Sequence, residues 1–259
     1  MRLLVLLRNP RAGRSFLAGA LLFIISVTLL SRLLLSPRSL AAISQEARLL
    51  PIYGVETEEP LVAISFDASW GAEHTLDILD TLDEYGVKAT FFLVNIWVEE
   101  YPDMAREIVA RGHEIGLHSV SHPHFPSLSR EEMERELEDN FQLIQQTTGY
   151  CPTLFRPPFG DYDNIVIDVV NCCGYDCIQW SKDSLDWKDL SAEAICQRVL
   201  KDIHGGDIVL FHNNGLHTAE ALPSILESLQ AQGLTAAPVG EVLLQGDCYI
   251  DANGIQHSR

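Results

Sequence analysis

The chain has 259 residues, of which 47% are hydrophobic, and a formal net charge of −18 at pH 7. This length is enough for one sizeable core and short for two. A chain this acidic is a poor partner for nucleic acid or an anionic lipid surface. We therefore expect no nucleic acid partner and favour a neutral polymer or a small molecule as the ligand.

The charges are unevenly distributed along the chain. Six of the 18 Lys and Arg residues precede Glu46, but none of the 36 Asp and Glu residues does. Behind the first arginines, residues 16–31 carry no charge and are rich in Leu, Ile, Phe and Val. As a helix this run spans roughly 24 Å, and Leu33–Leu35 extend it towards the ~30 Å of a bilayer core if Arg32 snorkels. We therefore predict a basic stub and a membrane anchor over residues 1–37.

Basic residues that precede an apolar run keep that end of the chain in the cytoplasm. The residues after Leu35 are therefore expected to lie outside the cytoplasm, as the ectodomain of a single-pass protein of the cell membrane. A cleaved signal peptide is the alternative, because residues 39–42 (SLAA) offer a peptidase small side chains. The protein would then be secreted.

Residues 38–58 are predicted to form a linker, because Leu49–Pro60 is polar and contains proline. The main domain is placed at residues 59–245, and residues 246–259 are assigned to a C-terminal tail. Within the domain, short apolar runs predict strands at Leu61–Phe66, Ala89–Val94, Glu114–Leu117, Thr153–Phe155, Tyr175–Trp180 and Asp207–Phe211. Apolar residues at helical spacing predict helices at His74–Tyr85, Pro102–Arg111, Ser129–Thr148, Asp163–Cys173, Ser191–Ile203 and Thr218–Gln232.

Strands that alternate with helices indicate an α/β fold with a parallel sheet and helices outside it. About seven such units fit an irregular (β/α) barrel better than an open doubly wound sheet. No GxGxxG and no GxxxxGK[ST] follows any strand, so no nucleotide is expected. Barrel enzymes place their chemistry at the carboxyl ends of the strands. Polar residues follow the predicted strands at these ends, namely Asp67, His118, Arg156, Asp183 and His212.

The six cysteines have spacings that match no zinc or redox motif. Buried free thiols are one interpretation. An exported domain also permits a disulfide bond, and a bridge involving Cys172 or Cys177 remains open.

Five short stretches carry the residues suited to catalysis. They read SFDASWG at 65–71, HSVSH at 118–122, RPPFG at 156–160, DSLDW at 183–187 and LFHN at 210–213. Their order and spacing resemble the polysaccharide deacetylases of the NodB homology group, carbohydrate esterase family 4, over about Glu59 to Leu244. Residues 51–57 and the FDxSWG form look most like a sporulation-associated branch of that family.

His118 and His122 offer two imidazoles four residues apart, which can reach one divalent cation from a turn or a short helix. Such a pair also arises by chance, but this pair follows a strand end, and that favours a metal site. Zinc is the expected metal, with cobalt, nickel and manganese as alternatives.

Asp67 closes an apolar run, where a carboxylate has no structural need, although it could instead cap the following helix. The resemblance implies that Asp67 is the general base for a water molecule activated by the metal. It also implies that Arg156 orients Asp67, and an ion pair with arginine would keep the carboxylate ionised. Asp183 is implied to buttress Arg156 and to lie at the substrate site.

His212 fits the role of proton donor to the leaving amine, with Asp186 fixing its tautomer and raising its basicity. A histidine packed in the core is the alternative. Trp187, Leu210 and Phe159 are expected to line the substrate pocket, although simple core packing would also explain Trp187.

The chain departs from the family at Ala68, because the family usually has an aspartate there as the third metal ligand. A methyl group cannot bind a metal, so the site is weak, has a replacement ligand, or is inactive and only binds glycan. Glu73 and His74 are the nearest candidate replacements, and imidazole suits zinc better. Alternatively, His74 simply opens the helix and Glu73 favours its positive N-terminus.

These residues predict a metal-dependent N-deacetylase that removes acetyl groups from N-acetylhexosamine residues of a cell-wall or spore-type polysaccharide, either peptidoglycan or a chitin-like polymer. The main alternative is a catalytically weak or inactive glycan-binding or morphogenetic protein that retains the fold. An unrelated amidohydrolase that acts on small amides is a third hypothesis.

Overall fold

The computed structural model describes residues 19–30 and 48–259, in two units, Met1–Arg48 and Leu49–Arg259. In the first unit, residues 19–30 are helical. No helix within the described residues has the length and apolar character needed to cross a membrane. The predicted anchor begins and ends outside the described residues, so it stays a prediction.

The second unit is built on a parallel sheet. Its strands in chain order are β1 (Gly54–Val55), β2 (Leu61–Ala68), β3 (Thr90–Leu93), β4 (Glu114–Leu117), β5 (Leu154–Phe155), β6 (Asp176–Cys177), β7 (Lys182–Asp183), β8 (Ile208–His212), β9 (Thr235–Ala237), β10 (Cys248–Ile250) and β11 (Ile255–Ser258). Seven of them are ordered β6-β5-β4-β3-β2-β8-β7, and β9 pairs with the start of β2. No pairing joins β6 to β7 in the part of the chain that is described. The predicted parallel α/β fold is therefore confirmed, as an incomplete barrel.

Helices connect these strands. They are α1 (Thr75–Glu84), α2 (Asn95–Glu100), α3 (Pro102–Ala110), α4 (Arg130–Thr148), α5 (Asn164–Cys172), α6 (Ala192–Leu200), α7 (Thr218–Ala231) and α8 (Val239–Val242). The start of α4 is a capping box, in which Ser129 and Glu132 each accept a hydrogen bond from the other's backbone N–H. The helix ends at Gly149, whose φ of 76° is a conformation that glycine adopts without steric strain.

Alternate residues of β2 face opposite sides of the sheet. Phe66 and Ala68 pack in the larger apolar cluster, together with residues of the surrounding helices. Ala63 packs in the smaller cluster inside the barrel. Asp67 lies an even number of residues after Ala63, so the two side chains point to the same side of the sheet. The carboxylate of Asp67 therefore faces the barrel interior, while the methyl group of Ala68 faces the helices.

Two segments predicted as a linker and a tail differ in the structure, because residues 49–58 and 246–259 belong to the folded unit. β1 pairs in parallel with β11, and β10 pairs in antiparallel fashion with β11. Ile52 and Val55 are buried. These three strands lie in segments that mix polar residues with apolar ones, so the sequence pattern did not mark them as strands. The same reason applies to β7, which was not predicted.

All six cysteines are free thiols in the structure. Cys177 is buried in β6, whereas Cys172 and Cys173 are exposed at the end of α5. No bridge therefore involves Cys172 or Cys177.

Candidate active site

A cleft of about 440 Å³ opens where β2, β4 and β8 end. It is lined by Asp67, Ser69, Trp70, His118, His122, Phe159, Gly160, Trp180, Asp183, Trp187, Leu210, His212 and Asn214. Most of the predicted site residues are in this set. Arg156 and Asp186 are fully buried beside them. The carboxyl ends of the parallel strands thus carry the polar groups, as in other α/β barrels.

Asp67 and Arg156 form a buried ion pair. The Nη1 atom of Arg156 donates to Oδ1 of Asp67 at 2.8 Å, and Nη2 donates to the hydroxyl of Ser65 at 2.9 Å and to the carbonyl of Gln179 at 3.2 Å. The guanidinium carbon lies 4.1 Å from the ring centroid of Phe92. A buried guanidinium needs a counter-charge, and Asp67 supplies it.

The charge state of Asp67 follows from these contacts. Burial raises the pKa of the Asp67 carboxyl, but the positive charge of Arg156 and the nearby His118 and His212 lower it further than burial raises it. The pKa therefore lies below its ordinary value. Asp67 is ionised at neutral pH and is able to accept a proton.

His118 directly follows β4 and has a defined tautomer. Its Nδ1 lies 2.7 Å from the carbonyl oxygen of Arg156, and a carbonyl only accepts, so Nδ1 carries the hydrogen. The other ring nitrogen, Nε2, is buried without a hydrogen-bond partner and lies 3.5 Å from Oδ2 of Asp67. Burial lowers the pKa of His118. The ring is neutral, with a free lone pair on Nε2.

His122 is held in a less common backbone conformation, with φ of 56°. A non-glycine residue in this region costs ~1–3 kcal/mol unless its surroundings fix it. Its backbone N–H donates to the hydroxyl of Ser119 at 2.9 Å. Its Nδ1 is buried without a hydrogen-bond partner. Burial, and next the proximity of His118, lowers the pKa of His122 to about 4, so this ring is also neutral.

His118 and His122 fit two positions of a divalent metal site. Both rings are neutral, their centroids lie 5.0 Å apart, and each has a buried nitrogen without a partner. Neutral imidazole nitrogens of this kind are common zinc ligands. The methyl group of Ala68 offers no third ligand. Among residues 19–30 and 48–259, no three His, Cys, Asp or Glu side chains are arranged as a metal site.

His74 and Glu73 do not fill the gap at Ala68. His74 immediately precedes α1, where its carbonyl accepts a hydrogen bond from the backbone N–H of Ile78. Neither His74 nor Glu73 lines the cleft, and Glu73 is exposed. The predicted role of His74 as a replacement ligand therefore has no support from the structure, which places it as the residue that opens the helix.

His212 ends β8 and is paired with Asp186. Its Nδ1 lies 2.7 Å from Oδ1 of Asp186, and its backbone N–H donates to Oδ2 at 2.7 Å. The hydroxyl of Thr218 also donates to Oδ2 at 2.7 Å. Burial lowers the pKa of His212, but the hydrogen bond to Asp186 and the nearby carboxylates Asp67 and Asp183 more than offset this, and the pKa is raised. With Nδ1 engaged by Asp186, Nε2 is the nitrogen left for substrate.

The predicted substrate residues all line the cleft, but Asp183 does not buttress Arg156. Its Oδ1 accepts a hydrogen bond from the backbone N–H of Leu185 at 2.9 Å. Within the described chain, no hydrogen bond or ion pair of Arg156 reaches Asp183. Ser65 and the carbonyl of Gln179 hold Arg156 instead, and neither was singled out from the sequence. Trp187 and Phe159 are 56% and 55% exposed, which places them at the rim rather than in the core.

Asn140 is a site residue that the sequence reasoning missed. It is fully buried in α4, and its Oδ1 accepts from the backbone N–H groups of His118 and Ser119 at 2.9 and 3.1 Å. Its Nδ2 donates to the carbonyl of Leu93 and to Oδ1 of Asn95. A signal was available, because Asn140 occupies an apolar position of this helix, in the series Met133, Leu137, Asn140 and Ile144.

Comparison with known proteins identifies the family. The profile described as polysaccharide deacetylase matches residues 54–178. A peptidoglycan-N-acetylglucosamine deacetylase of Bacillus cereus is 34% identical over 194 residues, which are 73% of this chain and 91% of that protein. The chain belongs to the polysaccharide deacetylase family. This membership confirms the predicted resemblance and the predicted enzyme class, a hydrolase of amide carbon–nitrogen bonds.

Two further relatives are informative. The uncharacterized protein YlxY of Bacillus subtilis is 33% identical over 193 residues, which are 74% of this chain but 60% of that protein. The chain also resembles the crystal structure of a CE4 family pseudoenzyme from Bacillus anthracis, with a TM-score of 0.72 and 33% identity over 74% of this chain and 68% of that one. A mutant of that pseudoenzyme is described as having restored enzymatic activity.

Proposed function

We propose that the chain is a metal-assisted N-deacetylase that removes acetyl groups from N-acetylhexosamine residues of a cell-wall polysaccharide, with peptidoglycan as the first candidate. This proposal rests on one observation: two polar pairs, Asp67 with Arg156 and His212 with Asp186, lie at the same cleft. Arg156 keeps the carboxylate of Asp67 ionised, and Asp186 keeps the imidazole of His212 basic. The substrate class is supported by the name of the Bacillus cereus relative.

Asp67 acts as the base in this scheme. Its carboxylate takes a proton from the water that attacks the acetamide carbonyl, and general base catalysis of this kind requires an ionised group. The ion pair with Arg156 at 2.8 Å fixes the direction of the carboxylate. Oδ2, the oxygen that lies towards His118, is left to take the proton.

His212 acts as the acid. Its Nε2–H donates a proton to the amide nitrogen as the carbon–nitrogen bond breaks, so the sugar leaves as an amine and the acetyl group as acetate. Asp186 accepts the hydrogen bond from Nδ1 and stabilises the imidazolium before it gives up that proton. Without this carboxylate, a buried imidazole would be a weak base at neutral pH.

His118 and His122 would hold the divalent metal, for which zinc is our first candidate and cobalt, nickel and manganese are alternatives. When bound, such an ion polarises the acetyl carbonyl and lowers the pKa of water. The carbonyl of Arg156 fixes His118 with its Nε2 lone pair free, so the same arginine residue orients the base through its side chain and a ligand through its backbone.

A second candidate function is glycan binding without cleavage, because Ala68 leaves the metal with two protein ligands. The cleft would then bind an N-acetylated glycan through its exposed aromatic rings. The similarity to a CE4 family pseudoenzyme is compatible with this alternative. It does not favour it over a deacetylase, because the base, the acid and their partners are all in place.

Metal content and acetate release, measured on one preparation of the full chain with purified peptidoglycan, distinguish the two functions. We expect zinc to bind and acetate to be released with free amines on the glycan. Glycan binding without acetate release, at saturating zinc, would instead identify the second candidate. Mass spectrometry of the digested glycan would locate the free amines on individual sugars.

We further propose that the folded unit lies outside the cytoplasm, either anchored or secreted after signal cleavage. The arginine excess before residue 16 supports this orientation. A reporter enzyme fused after Arg259 should be active only outside the cytoplasm. Activity confined to the cytoplasm would overturn the proposed orientation.

A further inference from the structure

We propose that Trp70 is a positioning residue for His122, whose ring it orients for the divalent metal. This inference rests on the proposed function, because it concerns how the metal is held. The proposed acid–base mechanism assigns no role to this tryptophan.

The two histidines are fixed by different means. The ring of His118 is oriented by the hydrogen bond between Nδ1 and the carbonyl oxygen of Arg156. His122 has no equivalent, since neither of its ring nitrogens makes a hydrogen bond to another residue in the described structure. Metal-binding histidines usually have such a second partner, which sets the ring orientation. The orientation of His122 must therefore come from packing.

Aromatic rings supply that packing. The ring centroid of His122 lies 4.9 Å from that of Trp70 and 4.4 Å from that of Phe159, with interplanar angles of 64° and 74°. Edge-to-face contact of this kind is a favoured arrangement of aromatic rings. Phe159 is itself supported, because His124 stacks on it at 4.2 Å. His122 is thus held between two rings, of which Phe159 is itself fixed by a further stacking contact.

The backbone next to Trp70 is fixed by the turn that follows β2. The carbonyl of Gly71 accepts hydrogen bonds from Nε1 of Trp97 at 2.6 Å and from Nδ2 of Asn213 at 2.7 Å. Gly71 has φ of 63°, a left-handed conformation that glycine adopts without steric strain, so the turn favours glycine. Trp70 is 57% exposed. Core packing therefore does not account for its position.

The need for such a residue follows from Ala68, two positions earlier. Without a carboxylate at this position, the metal depends on two imidazoles. A small rotation of either ring then costs a larger fraction of the metal-binding free energy than it would at a site with three protein ligands. The structure holds one imidazole by a hydrogen bond and the other by Trp70 and Phe159.

The proposal is tested by zinc titration calorimetry on the full chain. Trp70→Ala should weaken zinc affinity about tenfold or more, as the loss of an orienting partner typically does. Trp70→Phe keeps a ring at this position and should stay within about threefold of the parent chain. Trp187→Ala is the matched control, because Trp187 is equally exposed in the same cleft but makes no ring contact with either histidine in the described structure. It should leave zinc affinity unchanged.

A double-mutant cycle separates positioning from general damage. In a His122→Ala background, Trp70→Ala should have no further effect on zinc affinity, because Trp70 acts through His122. Unchanged zinc affinity of Trp70→Ala, or an equal loss in the His122→Ala background, would overturn the proposal while leaving the deacetylase function intact. A parent chain that binds no zinc and still releases acetate would instead refute the metal-assisted mechanism, and this inference with it.

Discussion

The two halves of the cleft are built differently. In the acid–base half, Asp67 and His212 are each hydrogen-bonded to a buried partner, Arg156 and Asp186, and Nε of Arg156 is the atom of these two pairs that is buried without a hydrogen-bond partner in the described structure. In the histidine half, His118 and His122 each have a buried ring nitrogen without a partner. Buried polar groups are normally satisfied. The two proton-transfer residues are therefore paired within the protein, whereas the two histidines keep ring nitrogens available for a ligand.

The largest effect should come from breaking the acid–base half. Asp67→Asn and His212→Ala should each lower turnover by about 10²-fold or more, because each removes a positioned proton-transfer group. Zinc affinity should survive, since neither is a proposed ligand. Acetate release from peptidoglycan measures the first effect and calorimetry the second. Near-parental turnover in either variant would remove the proposed mechanism.

The next largest effect should come from completing the histidine half. Ala68→Asp should raise zinc affinity about tenfold or more, because a carboxylate at the last residue of β2 is longer than the methyl group and can turn from the helices towards the cleft as a third ligand. Ala68 now faces the helices and is fully buried, so without metal the new carboxylate should lower the melting temperature. Added zinc should restore it. If neither zinc affinity nor acetate release changes, the assumed geometry of this half is wrong.

A smaller change should appear in the pH profile. His212 must be protonated to act as an acid, so activity should fall as pH rises through its raised pKa. Asp186→Asn removes the charge that holds this pKa up, and the alkaline limb of kcat should move to lower pH. Asp183→Asn should move it less, because Asp183 makes no hydrogen bond to His212. If the alkaline limb does not move in Asp186→Asn, it reports the titration of a group other than His212.

The smallest change should come from removing Asn140, which accepts hydrogen bonds from the backbone of the histidine half. Asn140→Ala leaves the buried backbone N–H groups of His118 and Ser119 without an acceptor, which should lower the free energy of unfolding by about 1–3 kcal/mol. Ser129→Ala, on the same helix, removes only the cap, at about 1 kcal/mol. Urea denaturation measures both. Zinc affinity should fall in Asn140→Ala alone, and an equal fall in both variants would contradict this assignment.

The sequence predicted the polar residues of the cleft better than the contacts that hold them. Asp67, His118 and His212 could be found because each interrupts or ends an apolar run, and that pattern marks a strand end. The six longer helices were predicted for a similar reason, since each spans at least two turns of apolar spacing. α2 and α8, with six and four residues, were missed.

The contacts that remained unpredicted are those without a sequence signature. Arg156 is held by the backbone carbonyl of Gln179, and any residue supplies a carbonyl. The family resemblance assigned Asp183 to this role, but the 3D path of the chain turns Asp183 towards Leu185. Trp70 lies in a motif that was recognised in the sequence. Its contact with His122 was not predicted, because it depends on two turns that come together only in the folded protein.

The small sheet of β1, β10 and β11 has a consequence for biosynthesis. His257 in β11 is hydrogen-bonded to Glu56, 201 positions earlier, and contacts between such distant residues form slowly. A chain made from its N-terminus exposes β1 long before β11 has left the ribosome. The last residue that lines the cleft is Asn214. We therefore expect the cleft to form before β11 pairs with β1 at the opposite end of the barrel.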